Sequence, residues 1–408
     1  MKRILLLLAT VGMIFTACEP GGIDDDINND PTEQPGGDNQ GGEDNPNNPG
    51  SGNKPDNPSE DDIPADKTQA IKFQDDNTKI RCTLHWDDNG DGELSYKEAA
   101  AVTDLGTAFK GFSILAFTEL KYFTSLEKIA NNAFEGCTNL ITITLPKQLA
   151  TIGASAFKGC TDLKNIAVPN AVTEIGNYAF QNCNNLTSVT IPDSVTKIGY
   201  CAFDGCTGEL TVNCNIPSVP SGQYGTFYGS QFTKVTIGNS VTSIGSYAFE
   251  NCTSLASVTI GYSVTSIGEA AFAGCSSLTA FYGKFASADN RCLIVNDTLK
   301  AFAPAGLTSY TIFDSVTSIG NRAFEKCYSL TSITIPDSVT SIGKSAFENC
   351  ILLTSVYCKP TTPPTGGYNM FNNNASGRKI YVPRNSVNAY QSASYWSGYA
   401  SYIVGSYL

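Results

Sequence analysis

Histidine is almost missing from this chain. His85 is the only one in 408 residues, which removes catalytic triads and histidine-based zinc sites, since both need an imidazole set against partners. His85 reads instead as an exposed helix residue. Beyond the first 17 residues there is no apolar run near the roughly 20 residues needed to cross a bilayer. Charge is also scarce outside one stretch. Glu19 to Asp66 holds 14 acids and one lysine, a net of −13 against −12 for the whole chain. With +2 from Lys2 and Arg3, everything after Asp66 is close to −1. The low pI therefore belongs to that segment and says little about a ligand. No pair of carboxylates recurs at a repeat-defined position, so general acid–base chemistry has no visible seat and the reading is non-catalytic.

What is abundant is repetition. Ala-Phe followed three residues later by Cys returns every 23 residues at Phe134, Phe157, Phe180 and Phe203, again at Phe249 and Phe272, and at Phe324 and Phe347. A unit of 23 residues cannot bury its own apolar face, so the copies must stack and share one long core. Within a copy, Leu186-x-x-Val189-x-Ile191 is an L-x-x-L-x-L strand ended by Pro192, which has no N–H for the next ladder bond. Val189 and Ile191 face inward and Ser188 and Thr190 outward. Such strands are expected at Leu120, Leu140, Leu163, Leu186, Glu209, Phe232, Leu255, Leu278, Leu307, Leu330 and Leu353, with a twelfth through Ile380–Pro383. Stacked about 4.8 Å apart they would form one parallel sheet roughly 50 Å long.

Eight of the 14 cysteines occupy one repeat slot. Stacked side chains point in parallel with Cβ atoms about 4.8 Å apart, beyond the usual disulfide span, so buried thiols are expected there. Cys292 to Phe302 reads as two short strands around an Asn296-Asp297 turn inside a longer insertion, residues 284–306.

The wording Ile-Gly-x-x-Ala-Phe-x-x-Cys-x-x-Leu-x-Ser-Val-Thr-Ile-Pro-x-Ser-Val-Thr resembles the BspA-like leucine-rich repeat family of bacterial cell-surface proteins. The resemblance runs from about Leu120 to Val382. It implies an α/β repeat solenoid, a right-handed stack with a parallel β-sheet, serving as a non-catalytic surface protein that attaches to host matrix or plasma proteins. Residues 1–17 have the basic start and apolar run of a signal segment. Phe15-Thr-Ala-Cys18 resembles a lipobox, which implies lipidation at Cys18 and a membrane anchor; an ordinary signal peptide with an incidental cysteine is the alternative. Asp24-Asp-Asp26 resembles acidic export signals, implying an outer-membrane lipoprotein exposed at the cell surface. Residues 18–66 read as a disordered acidic linker.

Asp87-Asp-Asn89-Gly-Asp91-Gly92-Glu93-Leu94-Ser95-Tyr-Lys-Glu98 matches the D-x-[DN]-x-[DN]-G-x₅-E pattern without a gap. Asp87, Asn89 and Asp91 would supply side-chain oxygens to calcium, Glu93 its carbonyl, Ser95 a water-bridged contact and Glu98 both carboxylate oxygens. A helix carrying Ile80 and Leu84 four apart should enter the loop and a second should leave it. The segment resembles a single EF-hand or dockerin-type loop, and residues 67–119 are read as a calcium-binding cap.

The outward slots of the repeat strands are mostly Ser and Thr, nearly uncharged, which argues against nucleic acid. Tyr282, Tyr357 and Tyr381 also take outward slots and are the candidate ligand-binding residues. Tyr310 falls in an inward slot. Residues 120–383 are thus read as solenoid and 384–408 as a C-terminal cap. Two functions fit: adhesion to host proteins or matrix, and capture of a glycan as an accessory to nutrient uptake. The oligomeric state has no signature in the sequence.

Overall fold

The repeat unit folds into one coil of a parallel β-solenoid. The computed structural model describes residues 63–219 and 224–408; the signal segment, Cys18, the acidic export signal and nearly all of the linker lie outside them. Each typical coil carries an outer-face strand such as Ser188–Ile191, then a two-residue strand such as Lys197–Ile198, then the Ala-Phe turn. Register is kept residue for residue: Ser188 and Val189 stand beside Asn165 and Ile166 on one side and Glu209 and Leu210 on the other.

The expected α/β character needs correction, because no helix lies within the typical repeat. Tyr178 and Asn182, four residues apart across the Ala-Phe turn, have φ of 56° and 62°. A right-handed helix cannot run through two left-handed residues so close together. The back of the coil is therefore a row of tight turns beside short parallel strands. The rungs press together at the Ile-Gly step. A Cβ at Gly199 would run into the backbone of Asn177 on the preceding rung.

The core is two nested columns. Phe134, Phe157, Phe180 and Phe203 are fully buried and stack face to face, with centroids 5.1–5.3 Å apart. Beside them each thiol donates to the phenylalanine carbonyl of the preceding rung. Cys160, Cys183 and Cys206 reach Phe134, Phe157 and Phe180 at 3.1, 3.2 and 3.0 Å. All described cysteines are free and buried, as the spacing predicts for the column. Burial pushes the Cys137 thiol up to about 11 and the Cys292 thiol up to about 12. Asn374 holds the cysteine slot on a late rung and does the same work, its Nδ2 donating to Phe347 O at 2.7 Å. The slot thus selects a small buried donor.

Two expectations about the sheet are corrected. The first strand is Ala116–Phe117, paired with Thr142–Ile143, while Leu120 falls in the 3₁₀ turn Thr118–Tyr122. Phe109 already stands in the aromatic column, 5.3 Å from Phe134, so the stack begins earlier than the spacing implies. The single long sheet is also broken. An eight-stranded sheet ends at Ala280–Gly283 and a five-stranded one begins at Ser309–Thr311. Between them the insertion forms the expected hairpin, Cys292–Val295 and Thr298–Phe302, with Asn296 and Asp297 both at positive φ. The core divides there too: Leu293, Val295 and Ala301 pack into the first half, and Cys292, Leu299 and Phe302 into the second.

Across this break the halves are tied on the turn side. Arg322 meets Glu325 at 2.9 Å and Glu250 at 3.7 Å, and Lys326 Nζ donates to Asn251 Oδ1 at 2.7 Å. At the far end, helix α3 (Val387–Ser392) and a 3₁₀ turn lead into a further strand, Ile403–Ser406, parallel to Lys379–Pro383. Tyr390 and Trp396 are fully buried over the last rung and donate to Pro360 O and Pro364 O. The C-terminal segment is a lid that adds its own rung.

Candidate functional site

The outward face of the strands is the surface that repetition builds, so its departures from the consensus mark where it is specialised. Small hydroxyls are the commonest residues in the outward slots and fill both on several rungs, as in Ser257 and Thr259 or Ser332 and Thr334. Tyr357 and Tyr381 break the pattern. They are Cα partners on adjacent strands, half-exposed, with rings stacked 4.9 Å apart at 12°. Tyr282, 46% exposed, is not brought to them. It ends the first sheet, and the hairpin and two strands of the second sheet lie between. Tyr310 packs against the second core, and its hydroxyl donates to Asp289 at 2.9 Å.

Beside the stacked pair stand cations that the chain-wide charge count conceals. Residues 351–408 contain Lys359, Arg378, Lys379 and Arg384 but no aspartate or glutamate, and eight of the 19 tyrosines. Lys379 precedes Tyr381 by two residues and is exposed; Lys359 follows Tyr357 by two and is exposed. Alternation along the strand sets Lys379 on the tyrosine side, and Lys359 stands just past the end of Ser355–Cys358. Arg378 is only 7% exposed, and its guanidinium lies over Tyr402 at 4.1 Å and Tyr399 at 5.3 Å. Its Nε is buried without a hydrogen-bond partner. Arg384 lies over Tyr407 at 4.2 Å. Among the described residues no carboxylate pairs with any of the four. A regional count of acids would have revealed this from the sequence.

At the other end, helices α1 (Asp76–Trp86) and α2 (Tyr96–Ala101) flank the loop that carries the oxygen-ligand pattern. Helix α1 buries Thr78 and Cys82, whereas Ile80 and Leu84 are 59% and 69% exposed. Thr78 anchors that choice by donating to Asp75 and to Ala116 O. Asp87 accepts from the N–H groups of Gly90, Asp91 and Gly92, and Asp91 from Glu93. Glu98 reaches back to the N–H groups of Asp88 and Asn89, while its other oxygen takes Ser95 N and Oγ. Glu93 turns its side chain to Lys79 at 2.6 Å. Ser95 caps α2, its hydroxyl occupied by Glu98. Among the described residues no three His, Cys, Asp or Glu side chains are gathered around one point. The donor set is nonetheless all oxygen, which suits a hard cation, and an ionised carboxylate oxygen has lone pairs beyond the N–H bonds seen here. Leu94 O accepts from Ile71 N at 2.8 Å, beside an isolated antiparallel bridge between Ala70 and Ser95, so the loop is tied to its own chain.

The fold and this face define a repeat scaffold built on leucine-rich coils. The profile described as BspA type leucine rich repeat region matches residues 107–221, 223–292 and 298–402 in six copies, and the chain belongs to that family. Solved structures similar to it include a leucine-rich repeat protein from Bacteroides ovatus, at 27% identity over 64% of this chain and 76% of that one, with a TM-score of 0.32. A leucine-rich cell surface protein from Faecalibacterium prausnitzii matches at 26% identity over 63% and 76%, TM-score 0.35. The pneumococcal vaccine antigen PcpA matches at 20% over 70% and 72%, TM-score 0.37. No curated protein matches the chain. No helix among the described residues is long and apolar enough to cross a membrane.

Proposed function

We propose that this protein is a surface lipoprotein, anchored through Cys18, that uses the outward face of its solenoid as a non-catalytic adhesive scaffold for host matrix or plasma components. The observation that carries the reading is the stacked pair Tyr357 and Tyr381, held half-exposed on a face where small hydroxyls are the commonest residues. Large, rigid aromatics with a polar tip are what binding surfaces concentrate, because they give contact area at little entropic cost. A stacked pair that served only packing would be buried. Capture of a glycan for uptake is the second reading, and the cations flanking the pair favour it. One calcium ion in the loop Asp87–Glu98 stiffens the N-terminal end of the scaffold.

The test is a binding panel of matrix proteins, plasma proteins and polysaccharides, with Tyr357→Ala and Tyr381→Ala measured against whatever is retained. Affinity should fall while the melting temperature holds. A melting temperature that falls with affinity unchanged would make the pair part of the cap and move the binding surface elsewhere.

A further inference from the structure

Accepting that outward face as the binding face, we infer that its C-terminal end takes a polysaccharide bearing sulfate or carboxylate groups. The groups gathered there are hydroxyls and cations. Tyr357 and Tyr381 present two phenols side by side, with Lys379 one alternation before the pair and Lys359 just past the strand end. Arg378, adjoining Lys379, is nine-tenths buried with its guanidinium packed on Tyr402 and Tyr399 of the C-terminal segment, so it is not one of these exposed groups. The nearest acid in the ladder, Asp337, is exposed one rung back, where register sets it beside Pro360, and it makes no ion pair with Lys359. Elsewhere on the face charge is neutralised internally, as where Lys234 meets Glu209 at 3.4 Å.

A neutral sugar could use the phenol and serine hydroxyls, which both donate and accept, but it would leave the cations of this end without a counter-charge. Those cations have no acidic side chain to answer them after Glu348, which favours an anionic polymer. A polymer is favoured over a small anion because the face continues as a regular ladder: Ser355, Ser332 and Ser309 stand in line with Lys379, and Thr334 and Thr311 in line with the tyrosines. An acidic peptide shares the charge but would more naturally add to a free strand edge, which here is Ile403–Ser406, one strand beyond the tyrosine pair.

The experiment measures binding of the intact protein to dextran sulfate, hyaluronan, uncharged dextran and poly-glutamate at several salt concentrations. Dextran sulfate and hyaluronan should bind, dextran should not, poly-glutamate should bind more weakly, and affinity should fall steeply with salt. The double variant Lys359→Gln, Lys379→Gln changes only exposed side chains. It should keep its melting temperature and lose about tenfold or more in affinity, the loss of one or two charge-assisted bonds. Lys234→Gln should match the wild type. Equal binding to uncharged dextran, tighter binding to poly-glutamate, or a double variant that binds as tightly as wild type overturns the inference. Binding of a matrix protein that is lost in Tyr357→Ala, with no polyanion bound, would overturn the ligand class while sparing the face. Tyrosine variants that leave every interaction intact would remove the face as well.

Discussion

Replacing Phe180 by alanine tests the architecture at its centre. The ring is fully buried, with Phe157 5.3 Å away on one side and Phe203 5.1 Å away on the other, nearly parallel to both. Phe→Ala in a close-packed core typically costs about 3–5 kcal/mol. The upper end is expected here, because the gap forfeits two stacking contacts worth roughly 0.5–1.5 kcal/mol each and the neighbouring rungs are pinned by main-chain bonds. Phe180 N donates to Ala202 O at 2.8 Å, and Phe157 N to Ala179 O at 2.7 Å, so the coils cannot close over the hole. Thermal or chemical denaturation measures the loss, and hydrogen exchange locates it. In a solenoid each coil touches only its neighbours, so protection should fall first on the rungs around residues 157–203. Ser188→Ala, exposed on the same coil, should stay within about 0.5 kcal/mol. A Phe180→Ala protein with unchanged melting and unchanged exchange would mean that the aromatic column bears no load and that the repeat has been placed in the wrong register.

The native protein should leave its column thiols unmodified by an aromatic disulfide reagent at pH 8, because they are buried, and burial raises the Cys137 thiol to about 11; rapid modification before unfolding would contradict the buried column. Glu325→Ala should cost about 1.5–3 kcal/mol, leaving Arg322 only its longer contact to Glu250. It should also raise exchange in the C-terminal half first, and uniform loosening would argue against a local tie. Calcium at 100 times its Kd should stabilise the N-terminal end by about 2.7 kcal/mol. Glu98→Gln should abolish that gain, and calorimetry without calcium uptake would remove the site.

The coil was legible because its residues state their environment twice, once by type and once by period. Phe180, Cys183, Val189 and Ile191 all lie where a 23-residue repeat with alternating strands puts them. The helical back was misjudged because Tyr178 and Asn182 do not announce a left-handed backbone; only stacking against the next coil makes it worth the strain. Ile80 and Leu84 misled for a related reason. Their spacing marks a helix face, but the face that docks is chosen by Thr78 hydrogen bonds and Cys82 packing. At the candidate site the tyrosine slots were readable by counting. Their pairing was partly hidden, because the insertion's length does not reveal that it interrupts the ladder between Tyr282 and Tyr357. The cations around them were readable but averaged away in a whole-chain charge.

The break at the hairpin has a mechanical meaning. Strands in a stack are bonded to one another along its long axis, so tension applied from end to end loads the rungs in series, and the weakest joint yields first. Between Gly283 and Ser309 the main ladder has no strand-to-strand pairing, and between Ile267 and the hairpin the short-strand row has none either. Force must pass there through the hairpin itself, through Arg322 and Glu250, and through Lys326 and Asn251. A pull between the two ends would therefore part the molecule at this joint before it unzipped either stack, lengthening the chain while the Tyr357–Tyr381 end stayed folded.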